Sequence, residues 1–426
     1  MHILIASGTH NCANLGDVAM LQAAVVRLRE LWPEAIIDVL TDTPEQLAAF
    51  CPEASACPAG PLQLWAGEHS LLGKYHQRLP SAAMRPVEAG HHLVKERWPE
   101  LLRAGLMARA EMRFQSTSEM RRFWKVVDAA DLFVVCGAGG FADHSRDWNE
   151  QILDLLALAE KREKPVLMLG QGFGPLADQE IIAKVRRRFP LVRRFTLRES
   201  LYGPEFLKTL GVEPDRIQVT GDEAIEAAWQ ETPRNLGTAL GVNLRVSRSS
   251  AVSPESAAIL GGVLWGIAFE HDCPLTPVPI DPSDRSTFNS LFGSTGEIAT
   301  PLDSMRAAGR CRVIVTGAYH AAVFALSQGV PAVCLAGSGY FELKFRGLAN
   351  QFGRACGIVP LQPQGSLTQR VRIAVESAWA DADYTREPLL QAAADQVRLQ
   401  KAAYRDVATT VGKRTACAAA GVGRPS

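Results

Sequence analysis

The chain has 426 residues, 47% of them hydrophobic and 21% charged, and its formal net charge is zero. This length predicts two domains rather than a single core, and the composition excludes extensive disorder. The neutral balance excludes a partner held by bulk charge, such as nucleic acid, so an anionic ligand must be held by a local cluster of side chains.

The first residues, MHILIASG, lack the basic and apolar stretches of a signal peptide. Every long apolar run is interrupted before the roughly 18 to 20 residues that would span a bilayer. The nine cysteines are odd in number and lie mostly in apolar runs, as Cys136, Cys311 and Cys334 do. These features predict a cytoplasmic protein with buried thiols in a reducing compartment.

Five strand-length apolar runs recur in the first half of the chain, each ending in a turn before a helical pattern: HILIASG, IIDVLTDTP, LFVVCGAGG, VLMLGQGFG and IQVTGDEA. Continuous apolarity predicts strands buried on both faces, and helix-length spacers predict parallel pairing with right-handed crossovers. We therefore expect residues 1–235 to form a doubly wound α/β lobe.

Between about residues 60 and 118 the alternation of strands and helices stops, and the pattern becomes helical with interleaved basic and aromatic residues. We interpret this segment as a helical insertion. It is either a cover over the sheet or a lid or acceptor platform beside a cleft.

A second series of strand-length runs follows the loop WQETPRNLGTA: LGVNLRV, PLTPVPI, RVIVTGAYH and PAVCLAG. Their helical spacers predict another α/β lobe over residues 236–365, with a cleft between the lobes. Residues 366–411 are predicted to be helical, near Leu367 to Ala380 and Glu387 to Val411. Residues 412–426 have little to bury and are predicted to be a mobile tail.

Glycine turns follow three strands of the first lobe, at the sheet edge where parallel sheets bind ligands. In the first turn, Asp17 is positioned to cap the following helix. Three such turns at one edge favour close approach of a ligand to the backbone over tight turning alone. NAD is disfavoured, because no acidic residue closes a following strand at the distance that the dinucleotide fingerprint requires.

Arginines end two of the predicted strands: Arg198 in FTLRES and Arg245 in GVNLRVSR, with Arg248 close by. A guanidinium that faces a cleft suits a carboxylate or phosphate, because its planar fork donates two parallel hydrogen bonds. The alternative is an ion pair with a local partner such as Glu199 or Asp222.

His320 lies in the first turn of a helix that begins at the carboxyl end of the strand RVIVTG. It faces either the cleft or the sheet. A helix N-terminus disfavours imidazolium, so the ring is expected to be neutral and able to exchange a proton with a ligand. A lone histidine in such a position is also typical of a core residue.

The ordered motifs NLGDVAM, DLFVVCGAGGFAD, LGQGFGP, TLRES, TGDEA and VIVTGAYHAAVFALSQGVPAVCLAGSGYFELKF resemble the polysaccharide pyruvyl transferase family along most of the chain. The resemblance implies two Rossmann-like lobes in a GT-B-like arrangement. It also implies transfer of a pyruvyl group from phosphoenolpyruvate to two hydroxyls of a sugar, in cell-surface polysaccharide biosynthesis and without a cofactor. That reaction needs an acid for the enol methylene, cations for phosphate and carboxylate, and a base for the hydroxyls.

The resemblance further assigns roles to residues of the matching motifs. The implied catalytic residues are His320, Asp143 and His144. Arg198 is the implied anion clamp, and the further donor-binding candidates are Arg245, Arg248, Tyr319, Tyr340 and Lys344. The implied substrate-binding residues are Asn14, Gly16, Asp17, Gly139, Gly140, Gln171, Gly172 and Asp222.

One position departs from the family, which usually places an arginine two residues before this histidine. The present chain has Ala318 there. Arg245, Arg248 or Lys344 is expected to supply the missing charge. Lys344 follows Tyr340 by one helical turn, which puts both side chains on one helix face.

Two alternative functions stay open. A GT-B-like cleft also suits a nucleotide sugar, which would make the chain a glycosyltransferase-like enzyme. The change at Ala318 also suits a non-catalytic sugar-binding homologue. No metal site is predicted, because histidines and carboxylates do not occur together at ligand spacing.

The sequence also bears on partners. The expected partner is a sugar acceptor, either lipid-linked or nucleotide-linked. The basic run KVRRRFPLVRRF indicates either a peripheral membrane contact or a solvated helix face above buried Phe189 and Phe195.

Overall fold

The fold contains two parallel β-sheets, each covered by helices. The computed structural model describes residues 1–8, 10–67, 81–112, 117–137, 139–246, 252–293, 300–361 and 366–420.

The first lobe is built on a seven-stranded sheet of order β3-β2-β1-β4-β5-β6-β7, in which every pair of neighbours is parallel. The strands are β1 (His2–Ala6), β2 (Ile36–Thr41), β3 (Ser55–Pro58), β4 (Leu132–Cys136), β5 (Val166–Gln171), β6 (Arg194–Leu197) and β7 (Ile217–Val219). The helices are α1 (Leu15–Leu31), α2 (Pro44–Phe50), α3 (Gly60–Ala66), α4 (Ser81–Arg97), α5 (Pro99–Met112), α6 (Ser118–Ala129), α7 (Arg146–Lys161), α8 (Gln179–Arg188), α9 (Gly203–Thr209) and α10 (Ile225–Gln230).

The second lobe is built on a five-stranded parallel sheet of order β12-β11-β10-β8-β9. Its strands are β8 (Ala239–Asn243), β9 (Leu275–Pro277), β10 (Cys311–Thr316), β11 (Ala332–Ala336) and β12 (Cys356–Pro360). Its helices are α11 (Pro254–Glu270), α12 (Asp284–Phe292), α13 (Pro301–Gly309), α14 (Tyr319–Ser327) and α15 (Gly339–Phe352), followed by α16 (Leu367–Ala420).

The continuous apolar runs are buried on both sides of each sheet. All five residues of β4 and all five of β11 are buried. Cys136, Cys311 and Cys334 lie inside these layers, as predicted. The predicted architecture of two doubly wound lobes is therefore confirmed.

Helix α16 connects the two lobes. Val371 and Val375, near its start, pack with the second sheet, whereas Tyr404 and Val407 pack with β1, β2 and α1 of the first lobe. The sequence predicted two helices here, and that prediction was wrong. The helix continues through Pro388 and through Ala420, while residues 421–426 of the predicted mobile tail lie outside the described residues.

In the predicted helical insertion, the described residues form α3, α4 and α5. Leu102, Leu106 and Ala110 of α5 are buried in the core of the first lobe, so this helix covers apolar surface. Residues 68–80 and 113–116 lie outside the described part of the chain.

The basic run after α7 places its two phenylalanines, Phe189 and Phe195, in the core, as one reading of the sequence required. Lys184 in this run is paired with Glu150 at 2.6 Å. Across the described ranges, no helix combines the length and apolarity needed to cross a membrane.

Candidate active site

A cavity of about 480 Å³ lies between the lobes, at the carboxyl ends of strands from both sheets. Eleven of the predicted site residues line it, which confirms that the strand ends converge. These are Asn14, Asp17, Gly139, Gly140, His144, Arg198, Arg245, Tyr319, His320, Tyr340 and Lys344.

The N-terminus of α1 forms one wall of the cavity. Its cap is Asn14, whose Oδ1 accepts hydrogen bonds from the backbone N–H of Gly16 at 3.0 Å and of Asp17 at 3.2 Å. The prediction that Asp17 caps this helix was wrong, because the helix begins at Leu15 and Asp17 already lies inside its first turn. The carboxyl group of Asp17 faces the cavity instead, where burial raises its pKa against the opposing effect of His320 and Lys344.

His320 belongs to the first turn of α14 and contacts the opposite lobe. A Cβ atom on Gly16 would lie 1.9 Å from Cγ of the His320 ring, so only glycine allows this approach. Gly16 does not line the cavity, and its role is to let the imidazole pack against α1. The structure therefore places His320 at the cleft, although its side chain is only 7% exposed.

Asp222 lies behind the cavity wall and is fully buried. Its Oδ2 is 3.6 Å from Nε2 of His320 and 3.7 Å from Nη1 of Arg198, and both distances are longer than a hydrogen bond. Burial raises the pKa of Asp222, but His320 and Arg198 outweigh it and hold the pKa below its usual value. Asp222 therefore lies behind His320 and Arg198 and does not line the cavity, where the sequence implied a substrate contact.

Arg198 follows β6 and is 2% exposed. Its guanidinium lies 4.6 Å from the centre of the Tyr319 ring and fits between two glycines. A Cβ on Gly139 would lie 2.2 Å from Nη2, and one on Gly172 would lie 2.4 Å from Nε. Among the described residues Nη2 has no hydrogen-bond partner, so it is a buried donor at the edge of a cavity. Burial lowers the pKa of Arg198, but Tyr319 and Asp222 more than compensate, so the group stays charged.

Lys344 and Tyr340 lie one turn apart on α15, as predicted. Nζ of Lys344 donates to the Tyr340 hydroxyl at 2.7 Å, and that hydroxyl donates to the carbonyl of Gly139 in the first lobe at 2.9 Å. The Lys344 ammonium also lies 5.1 Å from the centre of the Tyr319 ring. Burial lowers the pKa of Lys344 well below its usual value, and Arg198 and Arg245 lower it further. Burial also raises the pKa of Tyr340 to about 12, so its hydroxyl stays protonated.

The second lobe supplies an ion pair that the sequence reasoning missed. Nη2 of Arg245 lies 3.4 Å from Oδ2 of Asp281, and both residues line the cavity. Asp284 holds this loop, since its Oδ2 accepts the backbone N–H of Ile280 at 2.8 Å and of Asp281 at 2.9 Å. The signal for Asp281 was available, because the segment PIDPSD follows a predicted strand in the same way as the other turns.

The loop that carries Ile280 and Asp281 is also held by a hydrogen bond from the first lobe. The backbone N–H of Leu15, beside the cap residue Asn14, donates to the carbonyl of Ile280 at 2.7 Å. The two walls of the cavity are thus joined by a backbone hydrogen bond next to the Arg245–Asp281 pair.

Other predicted residues stabilise the site from outside. Oδ1 of Asp143 accepts the backbone N–H of Ala177 at 2.8 Å and of Asp178 at 3.0 Å, so this carboxylate is used in holding a loop. Nε2 of Gln171 donates to the carbonyls of Val135 and Leu169 inside the sheet, at 3.0 Å and 2.8 Å. Neither residue lines the cavity, contrary to the catalytic and substrate-binding roles implied for them.

The three remaining predicted residues lie in different places. His144 does line the cavity, with its ring edge-on to Tyr340 at 4.4 Å, and burial lowers its pKa. Gly172 lines a small pocket that adjoins Arg198. Arg248 lies outside the described residues.

Comparison with known proteins gives a family and a fold. A family model described as polysaccharide pyruvyl transferase matches residues 14–339. No curated protein sequence matches the chain.

Several solved structures share the architecture. UDP-GlcNAc 2-epimerase from Neisseria meningitidis, bound to UDP-GlcNAc, aligns at 12% identity and a TM-score of 0.54, covering 97% of this chain and 100% of the epimerase. The glycotransferase of kitacinnamycin aligns at 13% identity and a TM-score of 0.50, covering 96% and 98%. Anabaena HepE in complex with UDP aligns at 11% identity and a TM-score of 0.50, covering 97% and 100%. At these identities the likeness shows the fold, and the predicted GT-B-like arrangement of two Rossmann-like lobes is confirmed.

Proposed function

The chain belongs to the polysaccharide pyruvyl transferase family, and from this premise we propose that it transfers the pyruvyl group of phosphoenolpyruvate to two hydroxyls of a sugar. The product is a cyclic ketal, and inorganic phosphate is released. The proposed reaction belongs to cell-surface polysaccharide biosynthesis and needs no cofactor.

The donor end of the cavity is proposed to lie at Arg198 and Lys344. Both cations flank the Tyr319 ring, at 4.6 Å and 5.1 Å from its centre. A guanidinium fork and an ammonium suit the carboxylate and the phosphate of a three-carbon donor. Lys344 would thereby supply the charge that the family's arginine supplies at the position of Ala318, which is fully buried here.

His320 is proposed to exchange protons with the reacting carbons and oxygens. In the first step C3 of the donor gains a proton, while an acceptor hydroxyl loses its proton and bonds to C2. In the second step another hydroxyl bonds to C2 and gives up its proton to a phosphate oxygen, the C2–O bond to phosphate breaks, and hydrogen phosphate leaves with that electron pair. Asp222, 3.6 Å from Nε2, stabilises the protonated ring between the two transfers.

The acceptor end is proposed to lie at the Arg245–Asp281 pair. Paired guanidinium and carboxylate groups offer both donors and acceptors, which is what sugar hydroxyls need. The backbone bond between Leu15 and Ile280 keeps this wall in place before the acceptor arrives. A cavity of about 480 Å³ leaves room for a sugar beside the donor.

The observation that carries the proposal is the buried guanidinium of Arg198, whose Nη2 has no partner within the described chain. Leaving a buried charged donor unsatisfied is costly, so its persistence beside a polar cavity supports an anionic ligand.

The donor is tested by ligand-induced thermal stabilisation, which needs no acceptor. Phosphoenolpyruvate at about one hundred times its Kd is expected to stabilise the fold by about 2.7 kcal/mol, whereas pyruvate with phosphate gives much less. Arg198→Met is expected to lose the response. The matched control is Arg354→Met, which removes a guanidinium that is 76% exposed and is expected to keep the response.

The other outcomes separate the alternatives. Stabilisation by UDP or CMP but not by phosphoenolpyruvate would replace the proposal with a nucleotide-sugar transferase. If none of these donors stabilises the chain against thermal unfolding, the result would indicate a non-catalytic sugar-binding homologue. If phosphoenolpyruvate binds, His320→Asn is expected to keep that binding and to abolish phosphate release with nitrophenyl hexopyranosides that the parent accepts.

A further inference from the structure

Helix α11 of the second lobe is apolar on the side that faces solvent. Between Glu255 and Glu270 it carries no charged residue. Ile259 is 56% exposed, Trp265 48% and Phe269 87%. Together with Gly262 and Gly266 these residues form what we call the α11 face. A continuous apolar strip of this kind is unusual on a protein surface and marks an interaction site.

The inner side of the same helix accounts for its stability without that face. Leu260, Leu264 and Ile267 are fully buried against the second sheet. Ser253 caps the N-terminus, since its hydroxyl accepts the backbone N–H of Ser256 at 3.1 Å. The apolar residues on the outer side are therefore not needed to fold the helix, and their character requires another explanation.

The α11 face has a spacing that reads the same in both directions. Ile259, Gly262, Gly266 and Phe269 are separated by three, four and three residues. Two copies of α11 that cross antiparallel about position 264 would pack Ile259 of one chain against Phe269 of the other, and would place Gly262 opposite Gly266, beside which the guanidinium of Arg372 lies. A two-fold interface requires such self-complementarity.

Gly262 makes close approach possible, whereas a Cβ on Gly266 would lie 3.5 Å from Nη2 of Arg372. A Cβ on Gly262 would meet nothing within 4 Å, so the described part of the chain leaves open space above it. A second helix can therefore approach at this point, flanked by the larger side chains. Trp265 lies next to the axis, and its indole N–H donates to the carbonyl of Leu291 at 3.2 Å, which limits its motion.

Charge distinguishes a second copy from a lipid surface. Helices that lie on membranes carry lysine and arginine around their apolar face. The charged residues around this one are mainly acidic, namely Glu255, Glu270 and Asp272, while Arg372 is paired with Glu270 at 2.5 Å. In the antiparallel register Glu255 lies opposite Cys273, and Glu270 opposite Ala258, so the acidic residues of the two copies do not face each other across the axis.

From these observations we propose that the α11 face is a two-fold interface between two copies of this chain. The interface is independent of the proposed function. The apolar residues of α14, which carries His320, pack on the other side of the second sheet, with Ile314, whereas α11 packs with Val313 and Val315. Dimerisation through α11 therefore leaves the cavity unobstructed.

The test is the mass of the full chain in solution by light scattering at micromolar concentration. The parent is expected to have twice the chain mass of 46.2 kDa. Gly262→Arg places a charged side chain at the axis without a clash inside its own chain, and it is expected to raise the dimer dissociation constant at least a hundredfold. Leu101→Arg is the matched control, because Leu101 is 63% exposed on the first lobe, and this variant is expected to remain a dimer.

Three results would overturn the inference. A parent that is monomeric at 100 µM has no such interface. A Gly262→Arg variant that dimerises like the parent uses another surface. Flotation of the parent with phosphatidylglycerol vesicles, lost in Gly262→Arg, would assign the face to a lipid surface. The thermal response to phosphoenolpyruvate is expected to be the same in Gly262→Arg and the parent, so this inference and the proposed function fail separately.

Discussion

Two arginines, Arg27 and Arg198, are almost equally buried in this molecule, at 3% and 2% exposure, yet they have very different surroundings. Arg27 on α1 donates to Glu223 at 2.5 Å, to Glu226 at 2.7 Å and to Gln400 at 2.7 Å. Arg198 has one carboxylate nearby, at 3.7 Å, and a donor nitrogen with no partner in the described chain. The first arginine donates to three protein acceptors, although its Nε has no partner in the described chain, whereas the second has its unpartnered Nη2 at the edge of a cavity.

The difference separates a structural ion pair from a ligand site. Arg27 joins α1, the segment before α10 and the long helix α16, where Tyr404 also donates to Glu223 at 3.1 Å. Its partners come from two other parts of the chain, residues 223–226 and α16, so Arg27 joins three elements. Arg198 borders a cavity in which a further partner could bind, which is typical of an anion-binding group.

Consecutive residues connect the two regions. The carboxylate of Asp222 faces Arg198 and His320, while that of Glu223 faces Arg27. Gln400 of α16 donates to the backbone carbonyl of Asp222 at 2.6 Å. The contacts of Arg27 and Gln400 thus hold the backbone behind the cavity. Replacing Arg27 should therefore lower stability, whereas replacing Arg198 should lower the affinity for the donor.

The largest effect is expected for Arg27→Met. Removing this guanidinium leaves Glu223 buried without its charge partner, and breaking a buried ion pair in this way costs about 3–5 kcal/mol. The free energy of unfolding, measured by urea denaturation, is expected to fall by that amount. The double variant Arg27→Met with Glu223→Gln is expected to recover part of the loss. A single variant within 1 kcal/mol of the parent would contradict this role of Arg27.

For Arg198→Met we expect a loss of ligand affinity without a loss of stability. The Kd for phosphoenolpyruvate is expected to rise at least about 100-fold, equal to about 2.7 kcal/mol, because a buried charge contact to the ligand is lost. The free energy of unfolding is expected to stay level or rise, since an incompletely paired charge is removed. Titration calorimetry and urea denaturation on the same protein measure both. A variant that unfolds like Arg27→Met would remove the distinction between the two arginines.

A smaller effect, on turnover, is expected for Asp222, which lies beside His320 and Arg198 and next to Glu223 in the chain. Asp222→Asn keeps the shape of the side chain and removes the charge beside His320 and Arg198. Turnover is expected to fall about 10- to 100-fold through misplacement of these groups. Glu223→Gln is the matched control and is expected to lower stability while leaving turnover within about twofold. Equal losses of turnover in the two variants would contradict separate roles for the neighbours.

The sequence predicted the fold well where the apolar runs are long. The strands at the centre of each sheet were recognised, because burial on both faces leaves continuous hydrophobic runs. The edge strands β3 and β12 were not, because their sequences SACP and CGIVP are interrupted by serine, glycine and proline, which weaken the apolar signal. The break predicted near residues 381–386 was wrong, since α16 continues past Pro388 with Ala382 and Leu389 buried.

For the site, the sequence predicted which strand ends converge but not how each side chain is used. Asp143 and Gln171 fit the pattern of ligand residues, yet both are bonded to backbone groups of their own lobe. Gly16 was expected to shape a binding site and instead makes room for a histidine of the opposite lobe. The contacts of Asp143 and Gln171 span 34 and 36 positions, and that of Gly16 spans some 300, and local spacing encodes none of them.

The last expected effect concerns the pH dependence of binding and a third buried cation, Lys344. Its pKa is lowered well below the usual value, by burial first and then by Arg198 and Arg245. No carboxylate lies within ion-pair distance of its Nζ in the described ranges, whereas Arg27 has two. A dianionic ligand would favour the protonated amine and raise this pKa, so binding of phosphoenolpyruvate should take up a proton at a pH above the free-state pKa.

The affinity of the parent for phosphoenolpyruvate is therefore expected to fall as pH rises, by up to about tenfold per pH unit once the free-state pKa is passed. Calorimetry in buffers of different ionisation enthalpy, between pH 7.5 and 9.5, measures the uptake, because the donor phosphate, whose second pKa is near 6, is fully ionised there. Lys344→Arg keeps a charge that does not titrate, so its affinity should be flat across this range with no proton taken up. A parent that binds phosphoenolpyruvate without proton uptake would show that Lys344 is charged before the donor arrives, and that it resembles Arg27 more closely than its surroundings indicate.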